Sequence, residues 1–303
     1  MSHSSYLSSG MFVKKLTTWF NAVGVARKHS VDWLKLAIFA FLGRKGVFRS
    51  RASGTISCDA KKLLKQLVRL EDVWKHIGDN LPVIKFEDDD VVIPDYFGRD
   101  FRIPLKAMGI NPPSAILNAY PFDVRDEKVL DIGAYLGDTP LMWLYKGAKS
   151  VIAVEPVPLH FQYLEKNTAG LPVICLNVSV GGPLPKLPNH EGSGRYGLVD
   201  DVGDELLDVP VVQLTELVER YRPTVVKLNC EGCEHYVLEE LSEIHKLGVK
   251  IICVQFHDIR GYSAYESLAM LESRLGKSTK TLGGETTNLS GRIIETVTAY
   301  WSL

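Results

Sequence analysis

Val129-Leu130-Asp131-Ile132-Gly133-Ala134-Tyr135-Leu136-Gly137-Asp138 joins an apolar run ending in an acid to two glycines four residues apart. A buried strand that ends this way and feeds a helix sets backbone amides, a carboxylate and open space at one sheet edge, where open α/β folds bind cofactors. Thr139 followed by Pro140 fits a helix start: threonine caps, and proline at the first helical position lacks only an amide that has no partner there. A dinucleotide fingerprint needs G-x-G-x-x-G, its middle glycine admitting the pyrophosphate. Counted from Gly133, the middle position is Tyr135 and the last is Asp138, a bulky ring and a negative charge that both oppose two phosphates. A cofactor with a sulfonium and an ammonium group in place of phosphates suits Asp131 and the acid-containing loop, and S-adenosyl-L-methionine has those properties.

Outward from that stretch, strands are predicted at 129–132, 150–154, 172–177, 224–229 and 250–256, with helices between most of them. Pro210-Val211-Val212-Gln213 adds a short strand before a helix at 215–221, and 279–282 with 292–300 reads as a terminal antiparallel pair. Regular alternation of this kind implies a largely parallel sheet covered by helices on both faces. Glu155 ends the second strand 24 residues after Asp131, where a carboxylate can accept both ribose hydroxyls, and Asn177 ends the third, facing the adenine edge.

Three blocks, VLDIGAYLGDTP, VIAVEPVPLHFQYLEKN and VVKLNCEGCEHYVLEEL, occur in this order between about Lys128 and Phe256. Together they resemble the FkbM family of class I methyltransferases. The resemblance implies a Rossmann-like class I methyltransferase sheet, mostly parallel with a terminal antiparallel pair, and S-adenosyl-L-methionine as donor. Methylation of an oxygen on a small-molecule or saccharide acceptor is the activity it most often implies. The expected donor contacts are Asp131, Gly133, Ala134, Gly137, Asp138, Glu155 and Asn177. One position departs from the family: the fourth-strand block usually reads Lys-Ile-Asp-x-Glu-Gly-x-Glu, and Asn229 stands where that acid would be.

Asn229, Cys230 and Glu231 end the fourth strand, and His257 and Asp258 end the fifth, so they share one rim with the donor. Glu231 and His257 are the candidate proton acceptors, while Asn229 can orient a group but cannot take a proton. Glu231, His257 and Asp258 could collect a divalent cation, but no metal is expected. Lys227, inside an apolar strand, calls for a buried acidic partner.

The 303 residues carry a formal charge of -1, split into +7 over residues 1–60 and -8 over the rest. The front holds Trp33 to Leu42, ten residues interrupted by Lys35, too short to span a bilayer that needs about 20. It reads instead as a basic amphipathic helix, packed on the body or in peripheral membrane contact through residues 11–45. Helical periodicity covers 11–42 and 59–77, with 49–57 as a linker, and 91–93 with 101–103 form a hairpin. The expected organisation is therefore a basic segment over 1–57, an accessory helix and hairpin region over 58–127, and the methyltransferase domain over 128–303.

Five cysteines, an odd number partly in buried strands, argue against a disulfide framework and, with no export signal, point to a reducing, cytoplasmic setting. Cys230-x-x-Cys233 reads as a redox pair or half a zinc site. Two further readings stay open. An RNA acceptor would use the basic front as an electrostatic arm, and a non-catalytic protein that retained the cofactor fold would account for Asn229.

Overall fold

A computed structural model of the chain describes residues 18–105, 110–183, 208–258, 261–287 and 293–303. The Ser-rich start and the first turns of the expected front helix lie outside these residues. Two units form, Met1–Pro112 and Pro113–Leu303. The boundary read from the sequence at 127/128 falls inside the second.

In the first unit a helix over 18–29 (α1) stops at Ser30, and a second, Trp33–Phe41 (α2), follows. The periodic stretch is thus two helices, broken where the Ser30 hydroxyl donates to the Arg49 carbonyl at 2.9 Å. The expected linker over 49–57 is instead largely a hairpin, Lys45–Arg49 (β1) with Thr55–Asp59 (β2), paired Phe48 to Ile56. Its strands alternate only briefly, but Phe48 and Ile56 are both buried, and Ser50 Oγ accepts the Ala52 amide to build the turn. Ala60–Ile77 (α3) starts where Asp59 accepts from the Lys62 amide and ends at Gly78 in the left-handed region. Lys85–Glu87 (β3), Asp90–Tyr96 (β4) and Arg99–Pro104 (β5) make a three-stranded meander, one strand more than the hairpin read from the sequence.

The second unit opens with Pro113–Ala119 (α4). It continues through Lys128–Ile132 (β6), Asp138–Tyr145 (α5), Ser150–Val154 (β7), Pro158–Thr168 (α6) and Val173–Leu176 (β8). Ser179–Val180 (β9) and Val211–Val212 (β10) pair apart from the main sheet. Leu214–Tyr221 (α7), Val225–Leu228 (β11), Cys233–Tyr236 (α8), Leu238–Glu243 (α9), Ile251–His257 (β12), Ala264–Leu275 (α10), Thr279–Thr287 (β13) and Ile293–Ser302 (β14) complete it.

The main sheet has seven strands in the order β13-β14-β12-β11-β6-β7-β8. β6, β7, β8, β11 and β12 run parallel, and β14 pairs antiparallel with β12 and β13. Chain order runs outward in opposite directions from β6 and β11, so the crevice between their carboxyl ends is the topological switch point. Apart from Lys128 at the start of β6, the residues before it are apolar but for one pair: β6 and β11 place Asp131 opposite Lys227 in register. Their carboxylate and ammonium meet at 2.7 Å, with the side chains 0% and 1% exposed. This is the acidic partner the buried lysine required.

Gly133, at φ +80, leads out of β6, and a Cβ there would overlap the Asn229 carbonyl oxygen and stand 3.1 Å from Cys230 Cα. Gly133→Ala is therefore expected to destabilise the fold by about 3 kcal/mol or more, read as a lower urea midpoint with unchanged m-value. An unchanged midpoint would mean that the two loops separate easily.

Candidate active site

Left-handed backbone at Gly133, Tyr135 and Gly137 folds the loop after β6 back on itself. Gly133 and Ala134 donate to the Val154 carbonyl, both at 3.0 Å, tying the loop to the end of β7. Gly137 holds the N-cap position of α5, so Thr139 lies inside the helix rather than capping it as the sequence suggested. Tyr135 is a non-glycine residue at φ +49, a conformation that costs roughly 1–2 kcal/mol. Its amide donates to Glu155 Oε2 at 3.0 Å, and its ring meets His160 edge-on at 4.6 Å.

Glu155 is 5% exposed and also accepts the Val157 amide on Oε1 at 3.0 Å. Carboxylate oxygens have about four lone-pair sites between them, so two amide bonds leave capacity for a diol. A cavity of about 550 Å³, counted to its open mouth, lies beside it, bounded among others by Ile132, Gly133, Tyr135, Val154, Glu155 and Val157. Asn229, Cys230, Glu231 and Cys233 form its opposite wall. Four of the sequence-derived site residues, Gly133, Glu155, Asn229 and Glu231, thus meet in one cavity.

The other expected residues lie behind the cavity wall. Asp131 is fully buried, its Oδ2 accepting from Trp143 Nε1 at 2.9 Å and its Oδ1 from Lys227. Ala134 is buried, and Gly137 packs against Leu164 and Thr168. Asn177 donates from Nδ2 to the carbonyls of Glu155 at 2.8 Å and Pro156 at 3.0 Å, shaping the turn that carries Glu155. Burial, with Asp131 nearby and Lys227 opposing, pushes the Asp138 carboxyl up to about 6. Asp258 Oδ1 accepts the Ala264 amide at 2.6 Å.

His257 is 2% exposed and stands behind Glu231, its Nε2 3.8 Å from Glu231 Oε1. Sequence reading named Glu231 but missed the second acid that sets the imidazole's charge. Glu234 is fully buried, and its Oε1 meets His257 Nδ1 at 2.7 Å and accepts the His257 amide at 3.1 Å. Its Oε2 accepts the Gly232 amide at 2.9 Å and lies 3.1 Å from Cys230 Sγ. Burial by itself would lower His257, but Glu231 and Glu234 outweigh it and raise the imidazole to about 9. At neutral pH His257 is a buried cation rather than a proton acceptor. The only available signal was the second acid of the CEGCE run.

Cys230 and Cys233, read from the sequence as a redox pair or half a zinc site, are joined as a disulfide, with Cα atoms 5.5 Å apart. Three-residue separation on a tight turn brings the two sulfurs together without any wider framework. Glu231 at φ +58 and Gly232 at φ +127 form the intervening turn.

The cavity suits a nucleoside carrying a cationic tail. Ile132, Val154, Val157, Val178 and Val180 offer apolar surface to a base, Glu155 offers a carboxylate to a ribose, and Asn229 Oδ1 is buried with no hydrogen bond. An ammonium donor would satisfy that oxygen, whose burial without a partner is otherwise costly.

A seven-stranded sheet of this order, with a loop after β6 and an acid after β7 lining one cavity, is the Rossmann-like arrangement of class I S-adenosylmethionine-dependent methyltransferases. Residues 131–278 match the methyltransferase FkbM domain. No curated protein matches the chain. Among solved structures, a SAM-dependent methyltransferase from Agrobacterium tumefaciens is 11% identical, covering 85% of this chain and 87% of that one, with a TM-score of 0.42. TYW2 of P. horikoshii, in complex with MeSAdo, is 14% identical over 78% of this chain and 82% of that one, TM-score 0.41. The putative tRNA (m1A22) methyltransferase Sp1610 of Streptococcus pneumoniae is 15% identical over 63% and 70%, TM-score 0.36. Likenesses this distant carry no acceptor across.

Glu234→Gln removes one of the buried imidazole's two counter-charges, the one hydrogen-bonded to it, and is expected to cost about 3–5 kcal/mol in urea unfolding at neutral pH. In the wild type, the stability tied to His257 is complete below its unfolded pKa and is lost as pH rises through about 9. Glu234, whose pKa is lowered, contributes stability above its unfolded pKa that is lost as pH falls through the folded value. The gap between wild type and variant should therefore be widest near neutrality and narrow on both sides. A pH-independent gap would disprove the charged pair.

Proposed function

We propose that the protein methylates a hydroxyl of a small-molecule or carbohydrate-like acceptor. The observation that carries this reading is the meeting of Glu155, Asn229 and Glu231 in one cavity of about 550 Å³ at the switch point. Nucleoside-binding and acid-base groups then face the same space, so an acceptor hydroxyl entering it meets both. S-adenosylmethionine supplies an electrophilic methyl group on a sulfonium.

The residues divide the remaining work. Glu155 holds the ribose hydroxyls, and Asn229 Oδ1 accepts from the ammonium. The valines beside them exclude water. Glu231 takes the acceptor's hydroxyl proton as the oxygen attacks, while the His257 cation behind it steadies the carboxylate. Holding the two reactants in line supplies most of the rate, up to about 7–11 kcal/mol of barrier, and proton removal adds about 10²–10⁴-fold.

Isothermal titration with S-adenosylhomocysteine tests the donor site: wild type binds, and Glu155→Gln weakens binding by about tenfold, near 1.4 kcal/mol. Glu231→Gln should keep that affinity and lower kcat in acceptor screens by about 10²–10⁴-fold. Absence of binding by folded wild type would end the donor reading, and a Glu231→Gln variant with full kcat would end the base assignment.

For the first unit we propose peripheral contact with an anionic membrane. On α2, Leu36, Ala37 and Ala40 turn inward, while Leu34, Ile38 and Phe41 are 56%, 47% and 76% exposed on the opposite face. Trp19 of α1 packs its ring on Phe41 at 5.8 Å, and Phe20, next to it in the chain, is 65% exposed. Exposed Arg44 and Lys45 follow directly, and basic residues near an anionic surface contribute about 1 kcal/mol each. Sedimentation with phosphatidylserine vesicles should retain the wild type and release both Phe41→Ser and the Arg44→Glu/Lys45→Glu pair. Equal sedimentation of wild type and variants would refute the contact.

A further inference from the structure

The donor cavity has a wall whose chemistry methyl transfer leaves unused. Cys230 and Cys233 bound it, bridged to one another, and the turn they close holds Glu231, the proposed base, in left-handed backbone. On its outer side this turn abuts the donor loop. The hydrogen face of Gly133 lies so close to the Asn229 carbonyl that no Cβ fits, with Cys230 Cα also within reach. On its inner side Glu234 grips it through the Gly232 amide and stands beside Cys230 Sγ. The 229–233 turn therefore touches both Gly133 and the Glu234–His257 pair, and a shift of the turn disturbs these contacts.

We propose that Cys230 and Cys233 are a reversible redox site that controls donor binding, with a dithiol or glutathione-class thiol as co-substrate. This rests on the methyl-donor reading of the adjoining cavity. An attacking thiolate forms a mixed disulfide with one cysteine sulfur and expels the other as a thiolate. A second external thiolate resolves that mixed disulfide. Two electrons pass to the protein, the external thiols leave as their disulfide, and Cys230 and Cys233 each end as a thiol after proton uptake. The bridged form restrains Glu231 at φ +58; in the dithiol form only non-covalent contacts oppose its relaxation to a commoner conformation. Cys230 is partly accessible from the cavity side, which gives an external thiolate a point of attack. Cys58, Cys175 and Cys253 lie outside the cavity wall, and burial raises the pKa of all three thiols, which keeps them poor nucleophiles.

The full chain is equilibrated with oxidised glutathione or with dithiothreitol. Thiols are then counted by iodoacetamide alkylation and mass measurement after unfolding, and each form is titrated with S-adenosylhomocysteine. Of the five cysteines, the oxidised sample should expose three to alkylation and the reduced sample all of them. The dissociation constant should rise on the order of tenfold on reduction. A Cys230→Ser/Cys233→Ser variant should bind like the reduced form under either treatment. Hydrogen exchange of the amides at 133–137 should quicken on reduction, a readout that needs no ligand. Five alkylated cysteines after oxidation, or equal affinity and equal exchange in both forms, would overturn the proposal. If neither form binds S-adenosylhomocysteine, the donor reading fails and the exchange rates alone judge the coupling.

Discussion

The ion pair between Lys227 and Asp131 is the constraint on which the second unit depends. It sits in register across the two central strands, where the order of connections reverses, and it is sealed from water. A buried pair gains little over apolar packing but cannot lose one partner cheaply. Its contribution is register: a one-residue slip between β6 and β11 would leave both charges unpaired and would turn their side chains to the opposite faces of the sheet. Trp143 and the Gly133 carbonyl complete the coordination, so the start of the donor loop is attached to the same ammonium. The loop's position follows from the alignment of the strands.

A second set of charges lies at the neighbouring strand ends. Glu155, Glu231 and Glu234 gather near the mouth or just behind it, and His257 balances the last two as a cation. An acid-rich rim of this kind complements a positively charged sulfonium and opposes the phosphates of a dinucleotide. The electrostatics thus agree with the bulk of Tyr135 in selecting the ligand class.

Much of the sheet was legible because its strands are short apolar runs between helices, and each parallel strand lies within a residue or two of its expected place. Glu155 was legible from its spacing and strand-end position. The front was read less well. Arg49 to Ser57 contains more polar residues than apolar ones, and only the partners of Phe48 and Ile56 across the hairpin make it a strand pair. Asp131 and Asn177 show a different limit. A strand-end polar residue can face the ligand or brace the turn beneath it, and both choices leave the same letters in the sequence. Glu234 was silent because its role arises from β12, more than twenty residues further along the chain.

Tyr135 carries a consequence for how a ligand would be received. Its left-handed backbone is unfavourable for an L residue, yet the Glu155 bond and the His160 ring contact maintain it within the protein fold itself. The conformational cost of shaping the loop is borne during folding. A ligand arriving at the cavity then encounters a preorganised receptor, and the entropy of ordering the loop does not have to be subtracted from its affinity.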